Sequence, residues 1–260
     1  MSNKIKIDVL VLLLLIALSV SYLFLVEGTF LDLPYLTSYT FIISPIIYLS
    51  LRKKKDWSKI LAAVFLFGFV IGFPFTFIGE LTNAWAIHVD SYKMLGVFFV
   101  PIVIAWMLMV ALTVVVYQHF FPSLNTVKKG ISERFKKVTL VASILSLLMV
   151  VTCIYNPTFF PKKYSYLIIG SVILAPFLVY LIKKPRFIVK ILPLMSYFFV
   201  MYFTLELIGL KLEWWSFQGS YIGFVNLFEV RFPVEELMYW MILFPLSTIS
   251  CYQSFINTKK

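Results

Sequence analysis

Charged residues make up only 13% of this 260-residue chain, fewer than a soluble domain of that size carries on its surface. Cysteine occurs twice, at Cys153 and Cys251. In the topology read below the two fall near opposite membrane faces, too far apart to bridge, and they form no metal-binding spacing. His88 and His119 are isolated from any ligand pattern, so no metal centre is expected. No Gly-x-Gly-x-x-Gly follows a strand, which excludes a dinucleotide fold for a tightly held flavin or nicotinamide. No Asp-rich cluster offers to hold magnesium and a diphosphate, and no Gly-x-Ser-x-Gly elbow points to acyl chemistry. Low-complexity tracts and a soluble domain are missing too. These absences leave redox-neutral, metal-free acid–base work, with no cofactor.

What the chain has in abundance is apolar surface: 61% of residues are hydrophobic and 18% aromatic. Eight apolar runs, about 8–26, 34–51, 59–79, 95–117, 138–156, 164–182, 187–208 and 233–255, approach or reach the length needed to cross a bilayer core of about 30 Å. Backbone groups in lipid must be satisfied within the segment, so the runs are expected to be helices. Lys4 and Lys6 before the first run imitate a signal peptide, but the run is long and no small-residue cleavage site closes it. It is therefore read as span one. The expected fold is all-α: a polytopic integral membrane protein of about eight spans.

The net charge of +11 does not indicate nucleic acid, because its distribution follows the membrane. Assigning Lys and Arg to alternate sides of the eight spans puts 18 of the 23 on the side of both termini. That is the positive-inside pattern, and it predicts cytoplasmic N- and C-termini in a bacterial plasma membrane. The basic runs also suit contact with anionic lipid.

Val127 to Lys137 divides the chain into halves of four spans each, 1–126 and 127–260. They read as a diverged tandem repeat. The first contains Glu80-Leu, Trp85, Tyr92, Gly96, Pro101 and Trp106, and the second Glu206-Leu, Trp214-Trp215, Tyr221, Gly223, Pro233 and Trp240. Four spans per half relate the repeats by an axis along the membrane normal. Both motif loops then share the external side, where nine of the twelve acidic residues also fall.

Glu235 and Glu236 follow Pro233, a residue suited to a first helical turn, at the mouth of the last span. Ionisable groups at that depth mark a functional site by default, although acids in a first turn also cap free N–H groups and complement the helix dipole. Two coupled carboxyls can divide one proton between them and so supply a general acid and a general base. Helical spacing puts Glu235 on the face of Tyr239 and Glu236 on the face of Trp240. The π faces of such rings attract cations, carbocations included. Glu80 and Glu206, at the outer ends of spans three and seven, are further candidate acids. Trp85, Trp214 and Trp215 suit either a substrate pocket or an interfacial belt.

At Trp215-Ser-Phe-Gln, Gly223 and Phe232-Pro-Val-Glu-Glu-Leu-Met-Tyr-Trp240 the chain resembles the membrane-embedded carotenoid cyclases. These are the lycopene cyclases of the bacterial heterodimeric and the fungal or archaeal fused type. In them a tryptophan-containing loop, a glycine and then Pro-x-Glu-Glu open a membrane helix. The match covers about 30 residues, and beyond it the likeness is one of hydrophobic layout. In the first half the corresponding span opens Pro101-Ile-Val-Ile-Ala-Trp106, without an acid pair. The resemblance implies cyclisation of a linear carotenoid or related polyprenoid. Glu235 or Glu236 would protonate the terminal alkene, and the pair's other member or Glu206 would remove a proton, with Glu80 as a possible substitute acid in the first half. Trp85, Trp215, Tyr239 and Trp240 would line the substrate, while Pro233 and Gly223 would shape the motif. The expected partners are the bilayer, the polyprenoid, and a second copy or other carotenoid enzymes. Two alternatives stay open. One is a hydratase, in which water captures the cation. The other is a scaffold or transporter, whose acids only line a polar cavity or an interface.

Overall fold

The computed structural model describes residues 3–25, 34–88, 93–94, 98–121, 129–156, 158–171, 174, 182 and 185–253. Helix dominates: α1 (Asn3–Leu25), α2 (Pro34–Arg52), α3 (Trp57–Leu81), α4 (Val100–Phe120), α5 (Lys129–Tyr155), α6 (Pro185–Lys211) and α7 (234–251). Five of the described helices are long and apolar enough to cross a membrane, namely α3, α6 and the apolar stretches of α1, α4 and α5. Their outward faces agree: Leu140, Val141, Ile144, Leu145 and Leu148 of α5 are all exposed. So much contiguous exposed apolar surface belongs against lipid. The expected span 164–182 is helical over 165–171, and most of its remainder lies outside the described residues, as do Tyr92 and Gly96.

Among the described residues two helices depart from the α repeat. α3 runs as α-helix over Trp57–Ala63, as π-helix over Val64–Ile71 and as α-helix again over Gly72–Leu81. α7 changes in the same order, with its π segment at Leu237–Leu243. π segments commonly occur at functional sites, because the wider turn redirects side chains. Gly68 allows α4 to approach the first one, since a Cβ there would sit 3.0 Å from the Met107 backbone.

A polar cluster ties three helices together at one end of the bundle. Buried Asp8 of α1 accepts from Arg52 Nε (2.7 Å), Tyr48 Oη (2.8 Å) and His119 Nε2 (2.8 Å). Lys55 Nζ lies 3.2 Å from His119 Nδ1. A lysine ammonium only donates, so the imidazole proton sits on Nε2, towards Asp8. Burial pushes the Lys55 ammonium down to about 8, and the neighbouring Lys53 charge acts in the same direction. This network links the start of α1 to the ends of α2 and α4, which fixes α1 antiparallel to α2.

The opposite end carries the short strands. β1 (Ala86–Ile87) pairs antiparallel with β4 (Trp215–Ser216), in register Ala86 with Ser216 and Ile87 with Trp215. β2 (Lys93–Met94) pairs with β3 (Phe98–Phe99), and β5 (Phe224–Leu227) with β6 (Val230–Pro233), which leads directly into α7. The β1–β4 pair joins the loop after α3 to the loop after α6 and closes that end.

Candidate functional site

The loops after α3 and α6 leave their helices through the same corner. Ala84 N–H donates to Gly79 O and Asn83 N–H to Glu80 O, while Trp214 N–H donates to Gly209 O and Glu213 N–H to Leu210 O. Each is a Schellman ending, with Asn83 and Glu213 in the left-handed region at φ 55° and 56°. Both corners fold a tryptophan back over a glycine. A Cβ on Gly79 would lie 2.1 Å from the Trp85 ring, and one on Gly209 the same distance from the Trp215 ring. Only glycine leaves room for these indoles. The offset is 130 residues throughout, so Thr76, not Glu80, occupies the place that Glu206 has in the second corner. The paired Glu-Leu dipeptides suggest a different alignment from the one the backbone adopts.

Between the corners lies a cavity of about 170 Å³, lined from α3, α4, α6 and α7 and by both indoles. That is close to the size of an apolar cavity that holds benzene, about 150 Å³. It admits a ring-sized end of a ligand rather than the whole of a long one. Glu206 and Glu236 are the two carboxylates on its wall, and both are buried. Trp215 Nε1 donates to Glu206 Oε1 at 2.9 Å, and Tyr166 Oη donates to Glu236 Oε1 at 2.6 Å. Each acid therefore has one aromatic donor that fixes it and a second oxygen left for chemistry.

Glu235 has another task. Its Oε1 accepts from Ile222 N–H at 2.7 Å, and Val234 N–H donates to Gly223 O at 3.0 Å. Together they fasten the loop before β5 to the first turn of α7. Pro233 sits just before that turn as its cap, in extended conformation. Gly223 contributes its carbonyl, and a Cβ there would make only an ordinary contact with Val234 at 3.6 Å. Among the described residues Glu235 and Glu80 are not on the cavity wall.

Aromatic rings share the rest of the wall with aliphatic side chains and Thr76. Trp240 meets Trp106 edge to face at 4.8 Å and stacks on Tyr202 at 5.0 Å. Trp85 lies against Phe75 at 5.2 Å and Tyr166 at 5.3 Å. Tyr239 packs over Gly170, with its hydroxyl 2.7 Å from Ser171 Oγ and donating to Leu167 O. Both π segments reach the cavity, through Phe67 and Ile71 from α3 and through Tyr239 and Trp240 from α7. Just outside the spans, burial and the Glu236 and Glu235 carboxylates raise the Tyr221 phenol, which stays protonated.

The structure thus brings Glu206, Glu236, Trp85, Trp215, Tyr239 and Trp240 to one cavity and leaves Glu80 and Glu235 off its wall. Sequence reasoning missed Tyr166, Phe75 and Thr76. Tyr166 is one of fifteen tyrosines and Phe75 one of twenty-seven phenylalanines, and neither lies in a motif. The Gly79…Trp85 and Gly209…Trp215 pairs, each six apart, were the signal that locates Thr76.

Fold and site together define a helical protein, with helices long and apolar enough to cross a membrane, that holds two anchored carboxylates in an aromatic-rich cavity. Searches of protein-family models, curated proteins and solved structures find no match to this chain.

Proposed function

We propose that the chain is a membrane-embedded acid–base enzyme of the lycopene cyclase type, acting on the end of a linear carotenoid or similar polyprenoid. One observation carries this: two carboxylates, Glu206 and Glu236, face a largely apolar cavity rich in aromatic rings, each held by a single aromatic donor. Two carboxyls in so dry a space are cheapest when the pair carries one proton. The protonated member adds H⁺ to the terminal alkene, generating a tertiary cation. The neighbouring alkene donates its electron pair to that cation and closes a six-membered ring. The ionised member then removes a proton from the carbon beside the new cation, restoring a double bond. Atoms and charge balance as an isomerisation, and no cofactor is consumed. Trp85, Trp106, Trp215 and Trp240 present π faces to the positive charge and keep water out.

In this reading eight spans form two four-helix halves, 1–126 and 127–260, with both termini on the cytoplasmic side of a bacterial plasma membrane. The cavity lies between the halves and the acids come from the second. The motif resemblance at Pro233 to Trp240 and the matched corners support this arrangement. The chain works as a monomer, as a homo-oligomer or beside other carotenoid enzymes.

The test is expression in a lycopene-accumulating bacterial strain, with pigments analysed by HPLC and mass spectrometry. A less retained pigment of unchanged mass is expected, and Glu236→Gln should abolish it while the protein still inserts. A mass gain of one water assigns hydration instead. Unaltered lycopene with the protein in the membrane removes lycopene as substrate, and full activity of Glu236→Gln together with Glu206→Gln overturns the acid–base assignment.

A further inference from the structure

Thr76 lines the same cavity as Glu206 and Glu236. It is fully buried, and its hydroxyl has no hydrogen-bond partner among the described residues. Thr113, Thr82 and Thr204 spend their hydroxyls on the carbonyl four residues back. For Thr76 that carbonyl belongs to Gly72, where α3 passes from π- to α-helix, and the bond is not made. Unpartnered threonine hydroxyls also occur at Thr139 and Thr248, but neither of those residues faces the cavity.

The matched corners say what stands beside Thr76. In the second corner the folded-back indole of Trp215 donates to the carboxylate three residues before Gly209. In the first corner the indole of Trp85 is folded over Gly79 in the same way, and the residue three positions earlier is Thr76. Threonine is two bonds shorter than glutamate, so it cannot reach the indole as Glu206 does. The Trp85 N–H has no partner among the described residues either, and its ring is on the cavity wall. An indole only donates and a hydroxyl can donate. The matched corners thus put an unused hydroxyl and an unused indole N–H at the place that the Trp215–Glu206 pair fills in the other corner.

We propose that Thr76 and Trp85 form an oxygen-binding subsite at the first corner of the cavity, taking a carbonyl or hydroxyl oxygen as acceptor of two hydrogen bonds. The ligand chemistry is a single neutral acceptor oxygen at the edge of an apolar ring-sized body. It comes either from the substrate, which is then an oxygenated polyprenoid, or from a water molecule held beside the reacting end. A charged ligand group is disfavoured there, because the subsite offers no cation and its neighbours are aromatic. The proposal rests on the cavity being the substrate site of the reading above.

The test uses the full chain in lipid nanodiscs and two probes of one carbon skeleton, β-ionone and its deoxygenated hydrocarbon. Binding is followed by quenching of tryptophan fluorescence. The wild type should bind the ketone about fivefold or more tightly than the hydrocarbon, the ratio expected from one or two neutral hydrogen bonds. Thr76→Val keeps the shape and loses the hydroxyl, so it should reduce the preference several-fold, and Trp85→Phe should do the same. Thr76→Ser should retain it. Equal affinity for the two probes, binding of neither, or a preference unchanged in Thr76→Val overturns the proposal. Pigment mass then separates the sources. An alcohol made by the wild type and lost in Thr76→Val assigns the oxygen to water, whereas a preference with no hydrated product assigns it to the substrate. Binding is read without turnover, so the two readings fail separately. A ketone preference with full activity of the glutamine variants keeps the subsite and removes the acid–base chemistry. Equal probe affinities with Glu236-dependent turnover do the reverse.

Discussion

Replacing Gly209 with alanine should disconnect one of the two acids from its anchor without touching either. The new Cβ would lie 2.1, 2.3 and 2.6 Å from three atoms of the Trp215 ring. Carbon–carbon contacts are comfortable only from about 3.5 Å, so the ring has to retreat by roughly 1 Å or more. The Trp215–Glu206 hydrogen bond starts at 2.9 Å, and a retreat of that size takes it past the limit of about 3.5 Å. Overpacking costs about 1–3 kcal/mol, and a buried carboxylate stripped of its donor costs about 1–3 kcal/mol more. The sum, roughly 2–6 kcal/mol, corresponds to a fall in apparent Tm of at least about 5 °C for a chain of this length. Fluorescence-detected size-exclusion after heating in detergent reads the stability, and pigment analysis reads turnover. Trp215→Phe removes the N–H without crowding Gly209, and takes with it the distal ring carbons that lie over that glycine. It should lose stability through the cavity as well as the hydrogen bond, and turnover by tenfold or more, since each ~1.4 kcal/mol of transition-state stabilisation is worth a factor of ten. Wild-type turnover in Trp215→Phe would refute the idea that Glu206 must be held by the indole. Wild-type stability in Gly209→Ala would refute the close packing itself.

Tyr166→Phe removes the donor to Glu236 and should lower turnover about tenfold with insertion unchanged, as pigment yield per unit of membrane protein would record. Glu235→Gln keeps an acceptor for Ile222 N–H and should leave turnover within about twofold, whereas Glu235→Leu should destabilise by about 1–3 kcal/mol in the same heating assay. Asp8→Asn removes a buried charge from Arg52, Tyr48 and His119 and should cost about 3–5 kcal/mol, visible as a large loss of folded protein on heating. Lys55 titrates near 8 when folded and near 10.4 when unfolded. Between those values the unfolded chain binds the extra proton, so this residue's contribution to stability rises as pH climbs from about 8 towards 10. Lys55→Met should flatten that rise, and equal slopes of Tm against pH in the two proteins would show that Lys55 is not the group responsible.

Long apolar runs and sparse charge were enough to anticipate a mostly helical chain with helices long and apolar enough to cross a membrane, because the bilayer constrains composition so strongly. The stretch from Pro233 to Trp240 stood out too, since its proline, acid pair and adjoining aromatics depart from what a plain lipid-facing helix carries. The two π segments were not. Leu237–Leu243 and Val64–Ile71 have no composition that separates them from α-helix, and the extra residue per turn shifts every facing relation beyond it. The partners were equally hidden. Tyr166 and Glu236 are 70 residues apart in the chain, and no local pattern connects them.

Glu235 and Glu236 illustrate why neighbouring identical residues need the tertiary structure to be told apart. On a helix they point about 100° from each other, so at most one of them can face a given cavity squarely. Sequence fixes that division but not its direction. The direction is set by the hairpin before α7: β6 pairs with β5, which brings the loop at Ile222 and Gly223 beside the first turn. That loop presents an unpaired N–H to Glu235 and a carbonyl to Val234. Buried backbone groups must be satisfied, and once Glu235 meets the Ile222 N–H, the helix rotation is locked with Glu236 turned inward to Tyr166. A loop clamp and a cavity acid thus arise from one dipeptide, and the clamp is what aims the acid.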